Sequence, residues 1–424
     1  MKIRIEDAEI LRGDRLESAV VEIEGESIVH IGKKRPDFVP DRVLDGREKI
    51  LMPGLHNTHD HVPMSLFRNL CDDVDLVTWL EKKIWPLEAL LTGEDVYWGS
   101  MLSIAELIKS GVVAFGDMYF FVDDIVRSVE ESGLKANLSQ GLISATGGME
   151  ELSLVESQIE RYHGSADGRI RISVGPHAPG TVDDALLSAC VALAKDKGVG
   201  IHIHLEEDPR EVEEHLREYG MTPTERLEKL GVFDVHTMLA HCVCLDEKRM
   251  DILKDRDAYI LHCPSSNLKL ASGVAPIQAF LDKGLPVTIG TDGSSSNNNQ
   301  NLWEEMHIAS LIAKVRANDP TAACAEDILK MVTKTGADAL GFRDSGEIAV
   351  GKRADIILVR RDLIHHTPRF NPASELVYST QASDVDTVIV DGEILLEHGA
   401  LTKLDEEKLM YEVEKHAKAL LARA

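Results

Sequence analysis

The chain has little positive charge and no long apolar run. Lysine and arginine number 46, aspartate and glutamate number 72, and the formal net charge of the 424 residues is −26. A surface this acidic repels phosphate backbones and anionic lipid, so we expect neither nucleic acid nor a membrane as a partner. No stretch reaches the roughly 18 apolar residues of a membrane-spanning helix, and the charges in residues 1–10 argue against a signal peptide. These absences predict a cytoplasmic location.

The six cysteines also lack a pattern. None forms a C-x-x-C pair, so the sequence supports neither a zinc ribbon nor a thioredoxin-like motif. The H-x-E…P-C-x-x-C signature of the cytidine-deaminase zinc site is missing as well. Scattered cysteines in a chain of this length fit a reducing compartment.

Strand-like apolar runs alternate with helical stretches through the middle of the chain. Eight such runs end near His61, Met118, Leu142, His177, Leu205, His241, Cys263 and Asp292. Eight β-then-α units predict an α/β fold, the (β/α)8 TIM barrel, with its active site at the carboxyl ends of the strands. Short strands at both chain ends predict a small β-sandwich built from both termini. We therefore expect sandwich segments at 1–50 and 346–403, a catalytic barrel at 51–345 and a C-terminal helix at 404–424.

Histidines stand at the ends of several of these runs. His59 and His61 end the first, and side chains at i and i+2 of a strand point to the same face. A chance H-x-H would look the same, but the fifth run also ends in two histidines and Asp292 follows the eighth. In the fifth run alternation does not choose between His202 and His204. Because His204 lies nearer the strand end, we expect it to be the ligand and His202 to be a buried neighbour.

Three imidazoles and one carboxylate suit one divalent metal, with zinc as the first choice and iron(II) as the second. Such a metal lowers the pKa of a water molecule toward neutrality, and Asp292 can accept the proton that the water loses. His241 ends the sixth run, where it can hydrogen-bond the hydroxide or a developing oxyanion. No lysine ends the fourth run to bridge a second metal, so His177 is expected to face the substrate. Glu207 can carry a proton to the substrate, although an ordinary acid at a helix N-terminus would stand in the same place.

Longer motifs surround these residues. They are Met52–His61 (MPGLHNTHDH), Asp75–Leu80 (DLVTWL), Ile84–Glu88 (IWPLE), Gly175–Pro179 (GPHAP), His202–Glu207 (HIHLEE), Ala240–Cys242 (AHC), Pro264–Asn267 (PSSN), Thr291–Gly293 (TDG) and Gly351–Asp355 (GKRAD). With them the chain resembles the amidohydrolase superfamily over nearly its full length, and most of all the branch of S-adenosylhomocysteine, methylthioadenosine and 5′-deoxyadenosine deaminases. The resemblance implies four metal ligands, namely His59, His61, His204 and Asp292.

The resemblance also implies how a nucleoside is bound and deaminated. Glu207 is implied to shuttle a proton to the purine ring, and His241 to polarise the attacking hydroxide. Glu88 is implied to bind the ribose, since an ionised carboxylate accepts two hydroxyl donors at once. Three further residues are implied to contact the substrate, namely His177, Trp79 and Ser296. The products are then an inosine-type nucleoside and ammonia, and the family's habit predicts a homo-oligomer, either a dimer or a tetramer.

The sequence departs from this branch on and after the third strand. Relatives that hold the homocysteine carboxylate carry arginines there, whereas this chain has Gln140 and no basic residue until Arg161. An amino-acid tail without a guanidinium partner loses its charge-assisted hydrogen bonds. We therefore expect methylthioadenosine, 5′-deoxyadenosine or adenosine to be preferred to S-adenosylhomocysteine, unless a neighbouring subunit supplies an arginine.

Two other functions compete with this hypothesis. One is a deaminase or chlorohydrolase that acts on another heterocycle, such as guanine, a pterin or a triazine. Glu88 argues against it, because none of these substrates carries a ribose. The other is a barrel that has lost catalysis and serves as a scaffold. The complete set of candidate ligands, together with Glu207 and His241, argues against that function.

Overall fold

The computed structural model describes residues 1–13 and 15–424, with strands at both ends of the chain and alternating strands and helices between them. The strands are β1 (Lys2–Arg12), β2 (Arg15–Glu24), β3 (Ser27–Gly32), β4 (Arg42–Asp45), β5 (Lys49–Pro53), β6 (Leu55–Asp60), β7 (Val112–Tyr119), β8 (Lys135–Leu142), β9 (Ile170–Pro176), β10 (Ile201–Leu205), β11 (Thr237–His241), β12 (Ala258–His262), β13 (Val287–Ile289), β14 (Ile356–Arg360), β15 (Val385–Val390), β16 (Glu393–Glu397) and β17 (Ala400–Leu401). The α-helices are α1 (Leu76–Trp79), α2 (Trp85–Glu88), α3 (Gly93–Lys109), α4 (Val122–Ser132), α5 (Gly148–Tyr162), α6 (Ser165–Gly168), α7 (Asp184–Lys197), α8 (Pro209–Tyr219), α9 (Pro223–Lys229), α10 (Glu247–Leu253), α11 (Pro264–Lys269), α12 (Ile277–Asp282), α13 (Leu302–Ala317), α14 (Ala325–Val332), α15 (Lys334–Ala339), α16 (Pro372–Tyr378) and α17 (Glu406–Arg423).

Strands β6 to β13 form one parallel sheet in which sequence neighbours are also spatial neighbours. Every residue of β7, β8, β10 and β11 is buried, because helices cover one face of these strands and the barrel interior fills the other. The last strand returns to the first: Thr288 Oγ1 lies 2.7 Å from Thr58 Oγ1. Just beyond β13, the N–H of Asp292 donates to the carbonyl of His59 at 3.0 Å. The prediction of a (β/α)8 barrel is confirmed.

The second sheet draws its strands from both ends of the chain. Its order is β17-β16-β15-β14-β5-β1-β2-β3, with β4 beside β1. The join between the two ends is the antiparallel pair of β5 and β14, in which Met52 lies opposite Ile357. This sheet has a hydrophobic core of its own, to which Ile3, Ile23 and Leu358 contribute. The prediction of a separate β-structure built from both termini is confirmed.

The C-terminal helix α17 is amphipathic and lies against α3. It buries Leu409, Val413 and Leu420 along one side. Its polar side also makes a contact, since His416 Nδ1 lies 2.8 Å from Asp95 Oδ1. Among the residues described, no helix combines the length and the apolar composition that a bilayer crossing requires.

One local expectation needs correction. The apolar run that precedes His59 is not one strand but two, β5 in the terminal sheet and β6 in the barrel, divided at Gly54. A Cβ at Gly54 would lie 2.1 Å from Val113 Cγ1, so only glycine allows the two sheets to approach here. Farther along the chain, α8 ends at Gly220, which takes a left-handed conformation with φ 69°, and α9 begins three residues later.

Candidate active site

Four of the predicted side chains converge at the carboxyl end of the barrel. His59, His61 and His204 offer ligand atoms that lie within 4.8 Å of one another, and the same limit holds for His59, His241 and Asp292. Asp292 Oδ1 lies 3.4 Å from His61 Nε2 and 3.8 Å from His59 Nε2. Ligand atoms that share one zinc ion at about 2.1 Å lie within roughly 4.2 Å of one another, and the two distances from Asp292 meet this limit.

Each of the three predicted histidine ligands is oriented through its Nδ1 atom. His61 Nδ1 lies 2.5 Å from the carbonyl of Met118, and His204 Nδ1 lies 2.7 Å from the carbonyl of His177. His59 Nδ1 lies 2.9 Å from His202 Nε2. A carbonyl only accepts, so the Nδ1 atoms of His61 and His204 carry the protons and their Nε2 lone pairs are free. His202 therefore is the buried, hydrogen-bonded neighbour that its position in β10 predicts.

Burial keeps the imidazoles of His59, His202 and His204 neutral. Desolvation lowers the pKa of His59 and His204 well below the usual value, and neighbouring histidines lower it further. The same burial lowers the pKa of His202 to about 3. Burial opposes the ionised form of Asp292, but His61, His241 and the hydroxyl of Ser266 outweigh it and hold the pKa of that carboxyl below its usual range. Neutral imidazole and ionised carboxylate are the forms in which these side chains bind a metal.

His241 and Glu207 stand together beside the histidine cluster. His241 Nε2 lies 3.6 Å from Glu207 Oε2. Asn267 Nδ2 donates to His241 Nδ1 at 3.0 Å, which leaves the imidazole proton on Nε2, facing Glu207. Burial, with help from the charges of Asp292 and Asp208, raises the pKa of Glu207 to about 8. The carboxyl of Glu207 can therefore hold or deliver a proton, and the imidazole of His241 can donate a hydrogen bond.

A cavity of about 440 Å³ opens above the cluster, a volume within the usual range for small-molecule sites. Trp79, Glu88, His177 and Glu207 all line it. Glu88 Oε1 accepts a hydrogen bond from the hydroxyl of Tyr119 at 2.7 Å, which fixes the orientation of the carboxyl. The Tyr119 hydroxyl does not bond to the second oxygen, Oε2. The wall thus combines an aromatic face, a proton-carrying pair and an oriented carboxylate.

The structure does not bring every predicted residue to this cavity. Ser296 is buried, donates to the carbonyl of Gly293 at 3.2 Å and lies outside the cavity wall. The sequence motifs assigned no role to Ser266 or Asn267. Ser266 donates a hydrogen bond to Asp292 Oδ2 at 2.6 Å, and Asn267 donates one to His241. Tyr119 was also missed. Strand alternation could have found it, since it stands at i+2 from the buried Asp117 at the end of β7.

The donor set fits a metal. His59 Nε2 is buried and has no hydrogen-bond partner among the described residues, an uncommon state for an imidazole nitrogen in a protein interior. A divalent cation at the centre of the cluster would satisfy it together with the free nitrogens of His61 and His204 and one oxygen of Asp292. The cluster is therefore a candidate site for a divalent metal.

The chain belongs to the amidohydrolase family, whose pattern matches residues 50–395. The prediction of a hydrolase of this family is thereby confirmed. Two curated relatives are similar over nearly all of their length. The 5-methylthioadenosine/S-adenosylhomocysteine deaminase of Dictyoglomus thermophilum is 46% identical over 426 positions, which cover 100% of both chains. The 5′-deoxyadenosine deaminase of Methanothermobacter thermautotrophicus is 45% identical over 412 positions, which cover 96% of both chains.

A solved structure is similar as well. The adenosine deaminase from Xanthomonas campestris, crystallised with bound zinc, superposes with a TM-score of 0.96 and 31% sequence identity. The match covers 99% of this chain and 98% of that one. Both the barrel and the terminal sheet are therefore shared with that protein.

Proposed function

We propose that the protein is a metal-dependent hydrolytic deaminase of adenine nucleosides, which prefers methylthioadenosine, 5′-deoxyadenosine or adenosine to S-adenosylhomocysteine. The observation that carries the proposal is the 3.6 Å pairing of Glu207 with His241 beside the metal-binding cluster, in a cavity that Glu88 also lines. The names of the curated relatives support the same chemistry.

The substrate is held by groups on the cavity wall. Tyr119 orients Glu88 so that its second oxygen can accept hydrogen bonds from the ribose hydroxyls. Trp79 offers an apolar face to the purine, and His177 stands next to His204 at the same wall, with 4.8 Å between ring centroids. A nucleoside bound in this way turns its exocyclic amine toward the histidine cluster.

The reaction replaces the amine of the purine with an oxygen from water. A bound divalent metal supplies the Lewis acidity that lowers the pKa of water toward neutrality. Asp292 accepts the proton of that water, and the Nε2–H of His241 stabilises the negative charge that develops on the oxygen. Glu207 delivers a proton to the ring nitrogen next to the reacting carbon. With the water oxygen bonded to the ring carbon, Asp292 passes the proton that it took from water to the amine, and the C–N bond breaks to release ammonia. The hydroxyl of the intermediate returns its proton to Glu207 and becomes the carbonyl of the product.

Zinc is the metal we propose, with iron(II) as the second choice. Three imidazoles and one carboxylate give a borderline donor set that both ions accept. Metal analysis of protein purified without added metal should find about one equivalent per chain. Removal with a chelator should abolish turnover, and zinc or iron(II) should restore it.

The test of the function is an ammonia-release screen. Its substrates are methylthioadenosine, 5′-deoxyadenosine, adenosine, S-adenosylhomocysteine, guanine, a pterin and a chlorotriazine. We expect the first three to give the highest kcat/KM. A preference for guanine, the pterin or the triazine would replace the nucleoside proposal with the other-heterocycle function. A protein that binds metal but turns over none of them would favour the scaffold.

A further inference from the structure

A buried carboxyl that the proposed reaction does not use lies behind the site. Glu305, in the first turn of α13, is 0% exposed and lies outside the cavity wall. Its Oε2 accepts a hydrogen bond from the backbone N–H of Ser265 at 3.1 Å, and its Oε1 accepts one from Asn297 Nδ2 at 2.9 Å. Burial raises the pKa of Glu305 to about 7, and these donors oppose the rise. Both oxygens therefore bind donors from the protein itself.

The two donors come from different connections of the barrel. Ser265 lies in the first turn of α11, directly after β12, and Asn297 lies between β13 and α13. The same Nδ2 group of Asn297 also donates to the carbonyl of Thr291 at 2.7 Å. Glu305 thus joins two connections at the carboxyl end of the barrel.

These two connections hold groups that the proposed reaction uses. Ser266, next to Ser265, donates to Asp292 Oδ2 at 2.6 Å. Asn267 donates to His241 Nδ1 at 3.0 Å. Because consecutive residues of one helical turn move together, the bond to the Ser265 N–H fixes both donors. Through them it fixes the directions of the Asp292 carboxyl and the His241 imidazole.

The backbones of Asp292 and His241 also need support. Both take the left-handed conformation, with φ 61° for Asp292 and φ 74° for His241. Residues other than glycine are uncommon in this conformation, and it persists only where the surrounding structure holds it. The bond from Asn297 to the carbonyl of Thr291 holds the peptide group that precedes Asp292, and Glu305 in turn fixes the Asn297 amide.

We propose that Glu305 is a positioning residue for the deamination: it keeps Asp292 and His241 in their reactive orientations, through Ser265 on one side and Asn297 on the other. Glu305 does not line the cavity that receives the substrate, so it acts only through these neighbours. The inference rests on the proposed function, because the roles of Asp292 and His241 belong to that function.

The first test is kinetic. Glu305→Gln keeps the size of the side chain but replaces one acceptor oxygen with an NH₂ group, which cannot accept from Ser265 or Asn297. In the zinc-loaded enzyme at pH 8, we expect kcat for adenosine to fall by about 10- to 100-fold, as for other residues that orient a metal site. KM should change little, because Glu88 lies on a different element.

The matched control is Glu304→Gln, which makes the same change at the exposed neighbouring position and should keep kcat. A wild-type kcat in Glu305→Gln, or a loss carried by KM alone, would overturn the inference. If Glu305→Gln does not fold by circular dichroism, Asn297→Ala takes its place, since it removes the donor at the other end of one bond and should give the same fall in kcat.

A double-mutant cycle separates positioning from a general loss of stability. If Glu305 acts through Ser266, the Glu305→Gln change should lower kcat by a smaller factor in a Ser266→Ala background than in the wild type. Equal factors in both backgrounds would mean that the two side chains act independently, and the inference would be wrong.

A third measurement needs no substrate. The visible absorption bands of bound cobalt(II) depend on the arrangement of its ligands, Asp292 among them. These bands should shift in Glu305→Gln and stay as in the wild type in Glu304→Gln. Identical bands in all three proteins would contradict the positioning of Asp292 by Glu305. If the wild type released no ammonia from adenosine, the proposed function would fail, whereas shifted bands would still support the positioning of Asp292.

Discussion

His202 Nε2 lies 2.9 Å from His59 Nδ1 and so holds the ring whose other nitrogen faces Asp292. Both histidines are buried and neutral, and Ser139 Oγ, 3.5 Å from His202 Nδ1, continues the chain of contacts. His202 is thus a positioning residue that sets the direction of the His59 lone pair.

Replacing His202 should weaken metal binding without unfolding the barrel. His202→Ala removes the group that fixes His59, and loss of such a support lowers metal affinity by about 10- to 100-fold. Competition with a chromophoric chelator measures the affinity, and circular dichroism checks the fold. His163→Ala is a matched control, because His163 contacts the backbone of Ile172 far from the cluster. If His202→Ala binds the metal as tightly as the wild type, the His202 side chain serves only to pack the barrel interior.

Replacing Glu207 should separate catalysis from metal binding. Glu207→Gln keeps the size of the side chain and removes the proton it carries, so kcat should fall by about 10²- to 10⁴-fold. Metal content should stay at the wild-type level, because Glu207 lies outside the predicted ligand set. Glu213→Gln, which alters an exposed carboxyl on α8 outside the cavity wall, provides the comparison and should leave kcat unchanged. Full activity in Glu207→Gln would remove this residue from the reaction.

Replacing Tyr119 should raise the KM of substrates that carry the ribose hydroxyls and leave unchanged the KM of substrates without them. Tyr119→Phe deletes the hydroxyl that donates to Glu88 at 2.7 Å and frees the carboxyl to rotate. We expect KM for adenosine to rise by about three- to tenfold, in line with the loss of one hydrogen bond, with a smaller change in kcat. The KM for 2′,3′-dideoxyadenosine, which lacks the 2′ and 3′ hydroxyls, should hardly change. An equal rise for both would place the effect elsewhere in the cavity.

Asp95 should make the docking of α17 depend on pH. Burial opposes its charge, but bonds to His416, Thr92 and Arg423 hold the pKa of this carboxyl below 3.8. A depressed pKa stabilises the folded state above pH 3.8, and the contribution disappears as the pH falls below that value. Asp95→Asn should lower the free energy of unfolding by about 2 kcal/mol at pH 7. Denaturant titrations at pH 7 and pH 3 should show the gap between wild type and variant shrink; a constant gap would contradict the ionic account.

The sequence determined the periodicity of the fold and the chemistry of the site. Buried parallel strands need continuous apolar runs, so eight such runs could be recognised without coordinates, and residues at strand ends could be assigned to one end of a barrel. The alternation of side chains placed His59 and His61 on one face. Such patterns depend only on residues that are close together in the chain, so they can be recognised in the sequence.

Only the tertiary structure decided which side chains meet across the barrel. His202 and His204 share a face of β10. His59, on a strand distant in sequence, bonds to His202 and makes it a supporting residue, whereas His204 bonds to a carbonyl through Nδ1 and keeps Nε2 free for a metal. The bond from Tyr119 to Glu88 and the division of an apolar run at Gly54 likewise depend on how separate elements pack. Contacts between residues far apart in the chain leave no periodic trace, because they are fixed by the closure of the barrel rather than by neighbours in sequence.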